Sequence, residues 1–258
     1  GGIPEDDSEL AEQLLETARE IYRRDWRTIK LYFMIGHPQE EMSDVAAIVD
    51  LSRQVLAEGR RFHGNKAAVN VGVSTFIPKP HTPFQWEPMG DMAGIRAKLG
   101  YLIAEFKRPG LKLRWNDPDE SVFEGMLTRG DRRMAAVVER AWRKGAKFDA
   151  WQDHFRRDAW VEAMAEEGLD AAFFTHRPRP IDEVFPWEHI DVAVTRRFLT
   201  GDYLMSQRQE TRIDCRHHCF ACGILPKLKD LRRETPPEAW ECPPVTKVAD
   251  RRPALIQL

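Results

Sequence analysis

The chain of 258 residues carries 39 Lys and Arg against 41 Asp and Glu, a formal net charge of -2. That balance excludes a global electrostatic pull toward nucleic acid, so any basic patch must be local. A hydrophobic share of 42% with 13 Phe and 8 Trp excludes disorder over most of the length and allows one large domain or two small ones.

No apolar run reaches the roughly 18–20 residues that cross a bilayer. The opening Gly1-Gly-Ile-Pro-Glu-Asp-Asp7 lacks the layout of a signal peptide. A cytoplasmic protein without a membrane partner is expected. The chain begins without Met and runs straight into a helical pattern, so it is read as a piece of a longer protein.

Leu10, Leu14, Ala18 and Ile21 recur at three-to-four spacing between Asp7 and Arg24, which predicts an amphipathic helix capped by Ser8. Thr28–Ile35 is an apolar run bounded by Trp26-Arg27 and Gly36-His37-Pro38, the pattern of a buried parallel strand. Glu40 to Glu58 predicts a helix with Val45, Ile48, Val49, Leu51, Val55 and Leu56 on one stripe, ended by Gly59. Ala67 to Ile77 reads as a second strand. This order implies an α/β fold, a βα-type parallel sheet or part of a barrel, with two strands in this chain.

After Pro88 the parallel-strand signals stop. Asp91–Lys107 predicts a helix, Leu111–Trp115 a short strand and Pro118–Lys144 a helix. Asp149–Glu167, Asp170–Thr175 and His189–Gln209 continue a helical, aromatic-rich pattern broken by Arg177-Pro-Arg-Pro180 and Phe185-Pro186. From Thr235 onward prolines and charges dominate without periodicity, the composition of an extended or loosely packed tail.

Two strand ends have ligand-binding character. In Phe33-Met-Ile-Gly-His-Pro-Gln-Glu-Glu41, Gly36 removes a side chain where a flat ligand could approach, Pro38 stiffens the turn and Glu40 suits a helix N-terminus. An ordinary βα turn has the same composition. Asn70-Val-Gly-Val-Ser-Thr-Phe-Ile-Pro-Lys-Pro-His-Thr-Pro-Phe84 leaves its strand through Pro78, Pro80 and Pro83, a stiff apolar exit. In parallel α/β folds this edge binds ligands.

Both motifs, in this order, resemble the fifth and sixth strand ends of the radical S-adenosylmethionine enzymes. Ile35, Gly36, Pro38 and Glu40 match the first, with Glu41 where Thr is commoner; Phe76, Pro78, Pro80, Thr82 and Pro83 match the second. The chain is most similar to the subgroup that carries an upstream cobalamin-binding domain. Glu124-Gly-Met-Leu-Thr-Arg-Gly-Asp-Arg-Arg133, Gly145-Ala-Lys-Phe-Asp-Ala-Trp151, Pro186-Trp-Glu-His-Ile-Asp191 and Asp214-Cys-Arg216 extend the likeness over most of its length. The resemblance implies that Ile35, Gly36, Pro38, Glu40, Phe76, Pro78, Pro80 and Thr82 contact the adenosyl part of S-adenosylmethionine. It implies radical chemistry, or cobalamin-assisted group transfer, by the complete protein.

All four cysteines follow residue 214, and Cys215-x3-Cys219-x2-Cys222 has the spacing by which such enzymes hold a [4Fe–4S] cluster. In the family that loop follows the first barrel strand, and no barrel fits into the 36 residues after Cys222. The radical cluster loop is therefore expected upstream of Gly1. Cys242, His217 or His218 would complete a late site, as an auxiliary iron–sulfur cluster or zinc, and reduced thiols without metal are the third reading.

Other groups have plainer readings. His37 and His81 read as surface-loop histidines, and Asp117, Asp119 and Glu120 as a helix-start charge cluster around Pro118. Trp142, Trp151, Trp160 and Trp187 read as packing residues. Arg129, Arg132, Arg133, Arg140 and Arg143, interleaved with Asp131 and Glu139, read as a solvated helix face.

The resulting expectation has three parts: residues 1–90 as the late strands of a radical S-adenosylmethionine βα barrel, 91–210 as a mainly α-helical extension, and 211–258 as a Cys-rich metal-binding motif with its tail. The piece would supply adenosyl contacts and substrate-side walls and be inactive alone. The alternative is a zinc-stabilised interaction or RNA-binding module without catalysis, using the Arg-rich helices and Arg216-His217-His218.

Overall fold

A computed structural model describes residues 7–235 and 242, and the expected extended tail lies outside the described residues. The chain divides into two units. One holds the described residues up to Pro80 with Gln85–Pro186, and the other His81–Phe84 with the described residues from Trp187 on.

In the first unit, β1 (Thr28–Ile35), β2 (Ala68–Thr75) and β3 (Leu111–Trp115) form a parallel sheet in the order β1-β2-β3. Thr28 pairs with Ala68 through to Ile35 with Thr75, and Val69 with Leu111 through to Val73 with Trp115. β3 is the short strand expected at Leu111–Trp115, and its parallel pairing with β2 corrects the expectation that the sheet has two strands in this chain.

Helices α1 (Asp7–Arg23), α2 (Met42–His63) and α3 (Met92–Glu105) share one core with the sheet. Val69, Val71 and Val73 of β2 meet Val45, Val49 and Val55 of α2 and Ile95, Leu99 and Leu102 of α3. The sheet and α3 thus form one packed body across residue 90. Full burial of each such side chain is worth about 1.5–3 kcal/mol. The opposite side of the strands is open and mixes polar and apolar side chains. Lys30, Tyr32 and Met34 are exposed on β1, so this strand is half-buried, where its apolar run predicted full burial.

Helix α2 starts at Met42, after a reciprocal capping box in which Asp44 accepts from the Glu41 amide at 2.8 Å. It continues past Gly59 to His63. Gly59 is a contact residue rather than a terminator, because a Cβ there would lie 2.6 Å from the Tyr22 ring. Tyr22 is fully buried, its hydroxyl donates to Ala68 O at 3.3 Å, and burial pushes its pKa up to about 12.

Helices α4 (Pro118–Arg129), α5 (Met134–Arg143), α6 (Arg157–Glu166) and α7 (Ala171–Thr175) build a second core from Phe123, Met126, Val137, Trp160, Ala163 and Phe174. The single helix expected over 118–144 breaks at Gly130-Asp131, where the Asp131 carboxylate accepts from the Arg133 amide. In the second unit, α8 (Arg196–Ser206) is capped by the Thr195 hydroxyl, which accepts from Phe198 N at 3.2 Å, and is followed by α9 (Ile224–Lys227) and α10 (Lys229–Glu234). The fold is α/β and largely helical. Among the described residues no helix is long and apolar enough to cross a membrane.

Two glycine substitutions test the α1–α2 contact. Gly59→Ala should lower the thermal midpoint by the equivalent of about 1–3 kcal/mol, overlap with Tyr22 outweighing a helix-propensity gain of at most about 1 kcal/mol. Gly100→Ala in α3, where a Cβ meets nothing within 4 Å, should raise it. Equal shifts in differential scanning calorimetry would refute the packing account.

Candidate functional site

The two motif-bearing strand ends lie side by side. Ile35 pairs with Thr75, and the Phe76 amide donates to Ile35 O at 2.8 Å. Just beyond, the His37 ring stacks on Phe76, with centroids 4.2 Å apart and planes 29° apart. Burial lowers the His37 pKa, aided by Lys98 and opposed by Glu40, so the imidazole is neutral at neutral pH.

Glu40 holds the first loop together from within. Its carboxylate accepts from Gly36 N at 3.0 Å, from His37 N at 3.4 Å and from Lys98 Nζ at 2.7 Å, and Lys98 also donates to Glu40 O at 3.1 Å. The pair is well covered, with side chains 8% and 16% exposed. Glu40 precedes the helix, whose N-cap is Glu41. Gly36 has φ +88, a conformation that favours glycine, and a Cβ there would press on Ile95 at 3.3 Å.

The remaining strand-end residues divide by burial. Ile35 sits in the helix-side core at 2% exposure, and Gly36, Phe76 and Pro78 are also buried. Pro38, Pro80 and Thr82 are half-buried. Ile35, Gly36, Pro38, Glu40, Phe76, Pro78 and Pro80 belong to the first unit, while Thr82 belongs to the second.

The second loop is fastened by an arginine expected on a solvated helix face. Arg129, the last residue of α4, is fully buried. Its guanidinium donates to Phe174 O at 3.2 Å, Pro78 O at 3.1 Å and Gln85 O at 3.5 Å. Burial, then the nearby Arg179 and Arg177, push its pKa down to about 10, which leaves it charged at neutral pH. Arg179 donates to Arg129 O and Phe174 O, and Arg177 forms a bidentate pair with Glu183 at 2.7 and 2.8 Å. The other arginines of that run are exposed, but Arg133 pairs with Asp131, Arg140 with Glu166 and Glu167, and Arg143 with Glu139.

The open sheet face, unmarked in the sequence reading, borders a cavity of about 680 Å³. Register sets the open-side residues in rows: Lys30, Asn70 and Lys112; then Tyr32, Gly72 and Arg114; then Met34 and Ser74. Tyr32 is 78% exposed and its ring lies over Gly72, where a Cβ would come within 3.0 Å of it. The signal was available as the strict alternation in Ala68-Val-Asn-Val-Gly-Val-Ser-Thr75.

In the second unit, the Asp214 carboxylate accepts from the backbone and side chain of Arg216, which hold its pKa down to about 2. This clasp spans Cys215. The Cys222 carbonyl accepts from Thr195 N at 2.8 Å, and Arg212 lies 4.8 Å over the Phe220 ring. Cys219 is buried, Cys222 half-buried, Cys215 and Cys242 exposed, and all four are free thiols. The Cys242 thiol is pushed up by partial burial and by the electrostatic influence of Cys219, Cys215 and Cys222, so the four share a neighbourhood. Even so, among the described residues no three His, Cys, Asp or Glu side chains are placed to hold a metal ion.

Asp117 caps α4, accepting from Asp119 N at 2.7 Å, and Asp119 pairs with Arg96, the helix-start cluster expected. Trp160 and Trp187 are buried, whereas Trp142 and Trp151 are 56% and 63% exposed, correcting their assignment as packing residues.

Two measurements test these loops. Arg129→Ala, which strands three buried carbonyls, should cost about 3–5 kcal/mol in urea unfolding. Arg132→Ala, at an exposed residue, should cost within about 0.5 kcal/mol; similar losses would refute the buried pin. Because the folded-state pKa of His37 is lowered, its stabilising contribution is complete above the unfolded value near ~6.5 and is lost as pH falls through the folded one. His37→Phe keeps a ring on Phe76 and should reduce the stability lost on acidification. An unchanged pH profile would refute the buried neutral imidazole.

No protein-family model matches the chain, and no solved structure matches it. An uncharacterized protein of Methanocaldococcus jannaschii is 29% identical over 141 residues, a stretch covering 55% of this chain and 30% of that protein. The chain thus spans under a third of that relative's length.

Proposed function

We propose that the first unit is the late arc of a radical S-adenosylmethionine partial barrel, and that the chain is the C-terminal part of a longer enzyme. The observation that carries this reading is the sheet: three parallel strands in consecutive order, a shared helical core on one side, and an open face of mixed polarity on the other. Consecutive order with one-sided helices is the layout of a βα barrel, whose bare face turns inward. A doubly wound sheet reverses its strand order and carries helices on both faces. The paired strand ends support the reading further, since they juxtapose the two motifs that resemble the family.

On this reading the loops after β1 and β2 form the rim facing the adenosyl group. Glu40 and Lys98 hold the Gly36 turn, Arg129 holds Pro78 and Gln85, and the His37–Phe76 stack links the two ends without a charge. The open face supplies the substrate-side wall. Bound S-adenosylmethionine, with its [4Fe–4S] cluster and in this subgroup a cobalamin, supplies the radical or group-transfer chemistry.

The cysteines of this chain do not fit the radical cluster, because every strand precedes Cys215 and no three ligands converge among the described residues. No step is routed through them, and the cluster is assigned to residues outside this chain. The zinc-stabilised RNA-binding reading has no comparable support, since its arginines are buried or largely ion-paired.

The test is anaerobic incubation with S-adenosylmethionine and dithionite. The full-length polypeptide containing this sequence should release 5′-deoxyadenosine, and the chain alone none. Release by the chain alone, or none from the full-length polypeptide, overturns the proposal.

A further inference from the structure

The open face has a one-sided chemistry. Lys30 and Arg114 line its cavity with Tyr32, Asn70, Gly72 and Ser74, and no Asp or Glu is among the lining residues. Elsewhere in the first unit exposed cations are commonly neutralised by carboxylates, as at Arg133, Arg140 and Arg143. Among the described residues neither Lys30 nor Arg114 has such a partner.

Geometry adds a second requirement. The row Tyr32–Gly72–Arg114 runs across three strands, so the outer two α-carbons stand about 10 Å apart at ordinary strand spacing. At its middle Gly72 makes room for the Tyr32 ring, which lies over it and stays 78% exposed. A flat group can stack on the outer face of that ring while an anionic group at its end reaches Arg114, with Lys30 one row away. Asn70 and Ser74 provide neutral hydrogen-bonding groups on either side. The volume of about 680 Å³ suits a small ligand rather than a polymer strand.

We propose that this face binds an anionic small molecule with a flat ring, the chemistry of a nucleoside monophosphate. The inference deepens the barrel reading and rests on it only in taking the face as an interior wall.

The test is calorimetric titration of the chain at low salt with adenosine 5′-monophosphate, adenosine, inorganic phosphate and a single-stranded RNA decamer. The monophosphate should bind at least about tenfold more tightly than adenosine or phosphate, and more weakly as salt rises. Arg114→Gln should weaken it at least about tenfold. Gly72→Val displaces the Tyr32 ring from its seat over the strand and should weaken it similarly. Both variants should keep the thermal midpoint, because Arg114 is exposed, Tyr32 can swing outward and valine suits a strand. Absent binding, equal affinity for adenosine, unaltered affinity in both variants, or tighter binding of the decamer each overturns the proposal. Failure here with 5′-deoxyadenosine release intact removes only this inference. Nucleotide binding without such release removes only the radical reading.

Discussion

A parallel sheet has two faces to satisfy, and in the first unit the helices satisfy one of them. Parallel sheets are ordinarily covered on both sides, since their crossover helices lie on the faces. Here the period of two divides the labour within each strand. Val69, Val71 and Val73 hold the helices, while Asn70, Gly72 and Ser74, on the same eight-residue segment, point away from that core. Core packing and the open face are thereby carried by alternate residues, and the open face can vary without disturbing the core.

The strand ends depend on the same arrangement, because loops leaving a half-covered sheet need separate anchors. Both anchors are buried ionic groups. Glu40 is satisfied by two amides and Lys98, and Arg129 by three carbonyls. Burying such charges is costly, and apolar packing would often stabilise as well or better. What the ionic groups add is direction, since each clasps named backbone atoms and so fixes where a loop runs. The neutral His37 on Phe76 links the two strand ends without introducing a further charge.

The local parts of this architecture were legible in the sequence. Apolar runs and their breakers located β1, β2, the short β3 and the helices that cross between them, and the strand-end motifs identified two edges that do meet. The rest depended on contacts between distant residues. Arg129 looks solvated within Arg-rich 129–143, and only the approach of Pro78, Gln85 and Phe174 buries it. Gly59 mimics a helix terminator until Tyr22 is packed against it. Glu40 resembles a ligand contact or helix-start acid, but Lys98, 58 residues away, engages it internally. The cysteine spacing announced a neighbourhood of thiols without specifying ligand geometry, which spacing alone does not encode.

The one-sided sheet can be probed directly by oxidative footprinting of the native chain, with mass spectrometry of modified peptides. Met34 is 50% exposed and Met126 fully buried, and Tyr32 is 78% exposed against the fully buried Tyr22. An open face predicts rapid modification of Met34 and Tyr32, with Met126 and Tyr22 protected until the chain unfolds. Protection of Met34 and Tyr32 equal to that of their buried counterparts would contradict it, and with it the reading of that face as a wall awaiting a ligand.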